Sequence, residues 1–360
     1  MPCERSSLRF LATGIGSVPY LDIETTCRHI ILQFPELPFW PQFVKRSPVE
    51  DMTLQFTEGL PLVRVDLESK EVRISAGMNK EKELVEFYER FMAEDTDYFA
   101  VSEQYAPGLY TMLRILALES GNNNQQFIKG QVVGPITFTA SVKGSDGKAV
   151  LYDAEILEAM ANAISIKALW QVKELSKSGR YPVLFFDEPY LSGFGSAFSP
   201  ISREKVIEIL RTTIDFLKKR TNALVGIHCC GNTDWAMLLE TGTDIISFDA
   251  NGYMDYFLLY DKAIKEFLDR GGFIAWGIVP TSEFTGQETV QSLKTQLEHG
   301  MERLIRSGVD MEILQARSLL TPACGMGTMT PDTATRATNL LSELSRALRH
   351  RKADKAQQAS

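Results

Sequence analysis

Short apolar runs separated by longer stretches of helical spacing set the rhythm of the chain. Phe10, Leu11, Ala12 and Thr13 run into Gly14-Ile15-Gly16-Ser17-Val18-Pro19, which predicts a buried strand closed by a turn. Asp22 is placed to cap a helix reaching about Phe34. Residues 37–42, flanked by prolines, predict a second strand that stops just before Lys45 and Arg46. Residues 62–66 and 71–75 alternate apolar and polar about a polar tetrapeptide, the pattern of a β-hairpin set beside the main fold. Helical spacing covers about 80–92 and 108–118, and Asn122-Asn123-Asn124 marks a loop. A third strand at 127–133 ends at Gly134-Pro135.

Beyond that point helix and strand alternate regularly. Helices near 153–178, 203–219, 233–240, 255–269 and 289–307 lead to strands at 183–186, 223–228, 245–249, 273–280 and 318–322, and a last helix runs from about 332 to 348. The strands come to eight, each followed by a helix, the pattern of an α/β chain closed into a (β/α)8 TIM barrel. The expected organisation is one catalytic domain over residues 1–350, with a hairpin insertion near 62–75 and a flexible polar tail at 351–360.

Composition narrows the class. The chain is 44% hydrophobic, and 38 basic against 46 acidic residues give a formal charge of −8, which disfavours a nucleic-acid surface. No apolar run is long enough to span a bilayer and the start lacks the pattern of a secretory signal, so no membrane partner and a cytoplasmic location are expected. Five cysteines (Cys3, Cys27, Cys229, Cys230 and Cys324) are too few and too odd in number for a disulfide framework, leaving thiols available as ligands. Cys3, Cys27 and Cys229 take no role in this reading.

In a barrel of this kind the active site lies at the carboxyl ends of the strands. Ser17, Arg46, Asp187, Glu188, His228, Cys230, Asp249 and Cys324 all fall there. Alternation along a strand puts His228 and Cys230 on one face and Cys229 on the other. With Cys324 they offer one imidazole nitrogen and two thiolates, leaving a fourth position for Asp249, water or a substrate sulfur, and an open position is the mark of catalytic zinc. Taken alone, His-x-Cys is more often a packed thiol beside a hydrogen-bonded histidine.

The ordered set Ile15-Gly16-Ser17, Lys129-Gly130 with Gly134-Pro135-Ile136-Thr137, Asp187-Glu188-Pro189, His228-x-Cys230 and Pro322-Ala323-Cys324-Gly325 resembles the catalytic barrel of the cobalamin-independent methionine synthases. His228-x-Cys230 with the distant Cys324 is also similar to the corrinoid-dependent methyltransferases of the wider uroporphyrinogen decarboxylase superfamily. The resemblance runs from about Thr13 to Thr330. It implies zinc held by His228, Cys230 and Cys324, with Asp249 where the family carries a glutamate ligand. It also implies an amino acid thiol held by Gly16, Ser17, Asp187 and Glu188, with Asp187 in the catalytic role. Arg46 departs from the pattern: a carboxylate for homocysteine's ammonium is expected near it, and a cation there would favour an anionic group. Glu50 and Asp51 lie close enough to restore a carboxylate. The resemblance covers the catalytic barrel and not the second barrel that engages folate. It therefore implies a methylated corrinoid, free or on a protein partner, as methyl donor, with homocysteine as acceptor. The alternatives are methyl transfer to an anionic thiol such as coenzyme M, a tetrapyrrole decarboxylase, and a non-catalytic corrinoid-binding protein.

Overall fold

The computed structural model describes residues 8–75, 79–118, 126–196 and 201–357. Its strands are β1 (Leu11–Ala12), β2 (Val63–Asp66), β3 (Glu71–Ile74), β4 (Phe127–Val133), β5 (Val142–Lys143), β6 (Tyr181–Asp187), β7 (Leu224–Cys229), β8 (Ile245–Phe248), β9 (Phe273–Val279) and β10 (Ser318–Pro322). The helices are α1 (Ile23–Gln33), α2 (Lys80–Met92), α3 (Pro107–Leu118), α4 (Pro135–Ser141), α5 (Ala154–Ser176), α6 (Arg203–Lys218), α7 (Trp235–Leu239), α8 (Met254–Phe257), α9 (Asp261–Asp269), α10 (Val290–Arg306), α11 (Met311–Ala316) and α12 (Pro331–Gln357). Aspartate or serine side chains cap several of them, Asp22 on α1, Asp153 on α5 and Ser202 on α6, where they satisfy backbone N–H groups that have no partner within the helix.

Seven strands form one parallel sheet in the order β1-β10-β9-β8-β7-β6-β4. Residues 38–42 bridge the β4 edge and the turn that follows β1. On one side Trp40 N–H donates to the Lys129 carbonyl and Lys129 N–H to that of Pro38; on the other, Val18 and Gln42 exchange backbone bonds with Gln42 and Gly16. These contacts are isolated parallel bridges rather than a ladder. Pro38 and Pro41 lack the N–H that a continuous strand would donate.

The expected hairpin is present as the antiparallel pair β2–β3, extended by β5 into a separate three-stranded sheet. Asn122-Asn123-Asn124 and Cys3 lie outside the described residues. The last helix continues to Gln357, into the segment expected as a polar tail, of which residues 358–360 lie outside the description.

The two-residue period of the strands sorts the core into two bodies. Leu11, Phe127, Phe185, Leu224, Ile245 and Leu319 belong to a compact apolar cluster on one face of the sheet. Their neighbours, among them Phe186, Ile227, Phe248, Trp276 and Leu320, join the larger cluster that the helices cover. Continuing the first register toward the strand ends replaces hydrocarbon with polar groups: Lys129 and Gln131 on β4, Asp187 on β6, His228 on β7, Ser247 on β8 and Thr321 on β10, all buried. An apolar floor thus lies beneath a polar layer, where the strands run out.

No helix among the described residues is long and apolar enough to cross a membrane.

Candidate metal centre

His228, the penultimate residue of β7, is in register with Asp187 of β6 and Ser247 of β8. Its Nδ1 lies 3.0 Å from Ser247 Oγ, while its Nε2 is buried with no hydrogen-bond partner. An imidazole fixed through Nδ1 presents the Nε2 lone pair outward, the usual preparation of a metal-binding histidine. Cys230 follows just past the strand, and Cys324 follows β10. The ligand atoms of His228, Cys230 and Cys324 all lie within 4.8 Å of one another. Tetrahedral zinc with bonds of about 2.0–2.3 Å separates its ligands by less than that, so the trio can close on one ion with little movement.

The two thiols interact strongly. Cys230 is pulled down to about 4, chiefly by a hydrogen bond from Cys324 and also by His228, while that same contact and burial push Cys324 far up. Binding of a cation by these two sulfurs would displace their protons. Cys229 faces the opposite way: it is fully buried in the larger core, its thiol reaches the Gly231 carbonyl at 3.6 Å, and burial pushes it up to about 12. Cys27 is likewise inert, buried against the Gly108 carbonyl at 3.6 Å and pushed up to about 12.

Asp187 sits beside this group with Oδ1 buried and unpartnered. Burial pushes its carboxyl up while Lys129 and His228 hold it down; burial pushes Lys129 down while Asp187 supports its charge. The structure does not bring Asp249 into the trio. Its Oδ1 accepts from Gly252 N–H at 2.8 Å, and its carboxyl is raised by burial.

Glu188 has a different environment from its neighbour. Its Oε1 accepts from Ile136 N–H at 3.0 Å and its Oε2 from the N–H and Oγ–H of Thr137 at 2.7 and 2.6 Å. It holds the start of α4, and burial pushes its carboxyl up to about 7 against those bonds. Arg46 pairs with buried Glu50 at 3.1 Å, and Glu50 also accepts from Phe43 N–H at 3.0 Å. The cation expected to attract an anion is thus answered within its own segment. Ser17 adjoins the loop after Cys324: its carbonyl accepts from Met326 N–H at 2.9 Å and its Oγ from Gly327 N–H at 3.3 Å. A side chain on Gly325 would run into Ser17 Oγ unless that hydroxyl turned away.

Two polar residues carry no functional sign in the sequence pattern alone. Ser247 stands as the single polar position in Ile245-Ile246-Ser247-Phe248, and Lys129 as a charge inside the apolar run of β4. Ser247→Ala should leave the fold intact and weaken metal binding about tenfold to a hundredfold, because the imidazole loses the partner that orients it. Competition against a chromogenic chelator measures this, and unchanged affinity would remove Ser247 from the account.

No profile of a known protein family matches the chain. A methionine synthase of Methanocaldococcus jannaschii is 24% identical over 209 residues, which are 58% of this chain and 60% of that protein. The match therefore spans less than two thirds of this relative's length. Among solved structures, a B12-independent methionine synthase of a Shewanella species, in complex with selenomethionine, aligns at a TM-score of 0.48 with 18% identity over 67% of each chain. By sequence the chain is similar to a methionine synthase.

Proposed function

We propose that the protein is a zinc-dependent thiol methyltransferase that moves a methyl group from a methylated corrinoid, free or carried by a protein partner, to homocysteine, giving methionine. In this reading residues 1–350 are one catalytic domain, and residues 37–42 are the second strand, completing the eight of a closed (β/α)8 barrel. The observation that carries the proposal is the convergence of His228, Cys230 and Cys324 within 4.8 Å at the strand ends, with His228 Nε2 buried and unpartnered. The similarity to a methionine synthase supplies the reaction class.

His228, Cys230 and Cys324 would hold the zinc, three protein ligands leaving a position for the substrate sulfur. Bound there, zinc lowers the pKa of a coordinated thiol and keeps it as thiolate at neutral pH. Asp187, whose Oδ1 lacks a partner, receives the ammonium of the amino acid. The Gly16–Ser17 turn holds the carboxylate end. Asp249, which stands outside the trio with Oδ1 on Gly252 N–H, would have to move inward to serve as a fourth ligand. The thiol proton passes to solvent. With a methylated corrinoid as donor, the sulfur–methyl bond would form as the methyl–cobalt bond breaks, its electron pair staying with the donor. The chain's part is to activate the sulfur and align it with the donor.

The test is to incubate zinc-loaded protein anaerobically with homocysteine and either methylcobalamin or methyl-tetrahydrofolate, and to quantify methionine. Methionine formed from methylcobalamin is the expected result. Methionine formed only from the folate would replace the donor and leave the thiol chemistry standing. None from either donor would contradict the proposal.

A further inference from the structure

Lys129 is fully buried on β4, surrounded along its strand by apolar neighbours. Burying an ammonium is costly unless its hydrogen bonds are satisfied, and an apolar residue would fill the position more cheaply. Nζ donates to the Ile15 carbonyl and to Gln131 Oε1, the latter at 3.1 Å, and lies 4.8 Å from the centre of the Phe185 ring. Among the described residues no hydrogen bond joins Nζ to a carboxylate; Asp187 supports its charge from farther off. Its direct hydrogen bonds therefore go to the backbone of the turn that follows β1 and to the Gln131 amide.

That turn is gripped from two sides. Inside, a side chain on Gly16 would run into Gln42 Oε1 and Gln131, so the backbone lies directly on those two amides. Both are anchored in turn, Gln131 Nε2 to the Trp40 carbonyl at 3.0 Å and Gln42 Nε2 to Gln55 Oε1 at 2.7 Å. Outside, the loop after Cys324 donates Met326 and Gly327 N–H groups to Ser17. Lys129 touches none of the three candidate ligands, which hang from β7 and the end of β10.

We infer that Lys129 is a positioning residue: by binding the Ile15 carbonyl from inside the sheet, it holds the Gly16–Ser17 turn where the polar end of a metal-bound thiol is received. The inference rests on the proposed thiol site. Lys129 then controls discrimination between an amino acid thiol and a plain alkyl thiol, and leaves metal capture to other residues.

The experiment uses cobalt(II)-loaded protein and reads the sulfur-to-metal charge-transfer band as homocysteine or 1-propanethiol is titrated in. Lys129→Met should keep metal stoichiometry and weaken homocysteine about tenfold to a hundredfold, the loss expected when a hydrogen bond from a charged group is removed. Propanethiol should change by less than about threefold, a shift of under one charge-assisted hydrogen bond. Gly16→Ala, which disturbs the same turn without touching the ammonium, should show the same selective loss, and serves if the lysine variant does not fold. Equal losses for both thiols, or none for either, would overturn the inference while leaving the site intact. A wild-type protein that binds neither thiol would overturn both this inference and the function it rests on.

Discussion

Cys324→Ser is expected to lose the metal and methyl transfer together. A serine hydroxyl is a harder and far less acidic donor than a thiol, and it would leave His228 and Cys230 as a two-ligand site. Orienting partners of zinc ligands cost about tenfold to a hundredfold in affinity when removed, so loss of a direct ligand should exceed about a hundredfold. The fold should persist. Cys324 lies beyond the end of β10, and the sheet beneath it rests on Leu319, Ile245 and the rest of the apolar floor. Zinc content after dialysis and the far-ultraviolet circular dichroism spectrum check both halves. A variant that keeps one zinc per chain would remove Cys324 from the ligand set.

Glu188→Gln is expected to act on stability instead. The carboxylate accepts three hydrogen bonds from the start of α4, at 2.6 to 3.0 Å, and is fully buried. An amide of the same shape must turn an NH2 group toward one of those donors, leaving two N–H groups face to face without water. Breaking a charge-assisted buried contact and stranding its partner costs about 2–4 kcal/mol. The loss should appear as a lower midpoint in urea with an unchanged slope, while zinc binding at low temperature stays normal. Lost zinc binding at unchanged stability would return Glu188 to the site.

The outcome for Glu188 shows what the sequence could not carry. Asp187-Glu188-Pro189 reads as a pair of carboxylates at a strand end. Their division of labour depends on Ile136 and Thr137, some 50 residues away in sequence (separations of 52 and 51), arriving beside one of them. Arg46 is similar: its charge is visible, its neutralisation by Glu50 is visible only once the segment folds into a turn. The sheet strands were legible because both faces are buried, which makes parallel strands continuous apolar runs. Residues 38–42 were legible as extended, but their two prolines restrict them to bridges. The helix at Pro135–Ser141 passed unread because it is short and buried at nearly every position, so it has no amphipathic period. His228, Cys230 and Cys324 could be named from strand alternation and barrel geometry. The partner that orients His228 could not, since a serine in a buried strand carries no sign of what it faces.

The central claim is an open thiol-activating zinc site, and X-ray absorption at the zinc edge of the purified protein, with metal content, tests it most directly. The account predicts about one zinc per chain in the wild type, with two sulfur neighbours near ~2.3 Å and nitrogen or oxygen near ~2.0 Å. Homocysteine should add a third sulfur at about the same distance. A protein that holds no stoichiometric zinc, or whose zinc gains no sulfur with homocysteine or any other thiol, would contradict it.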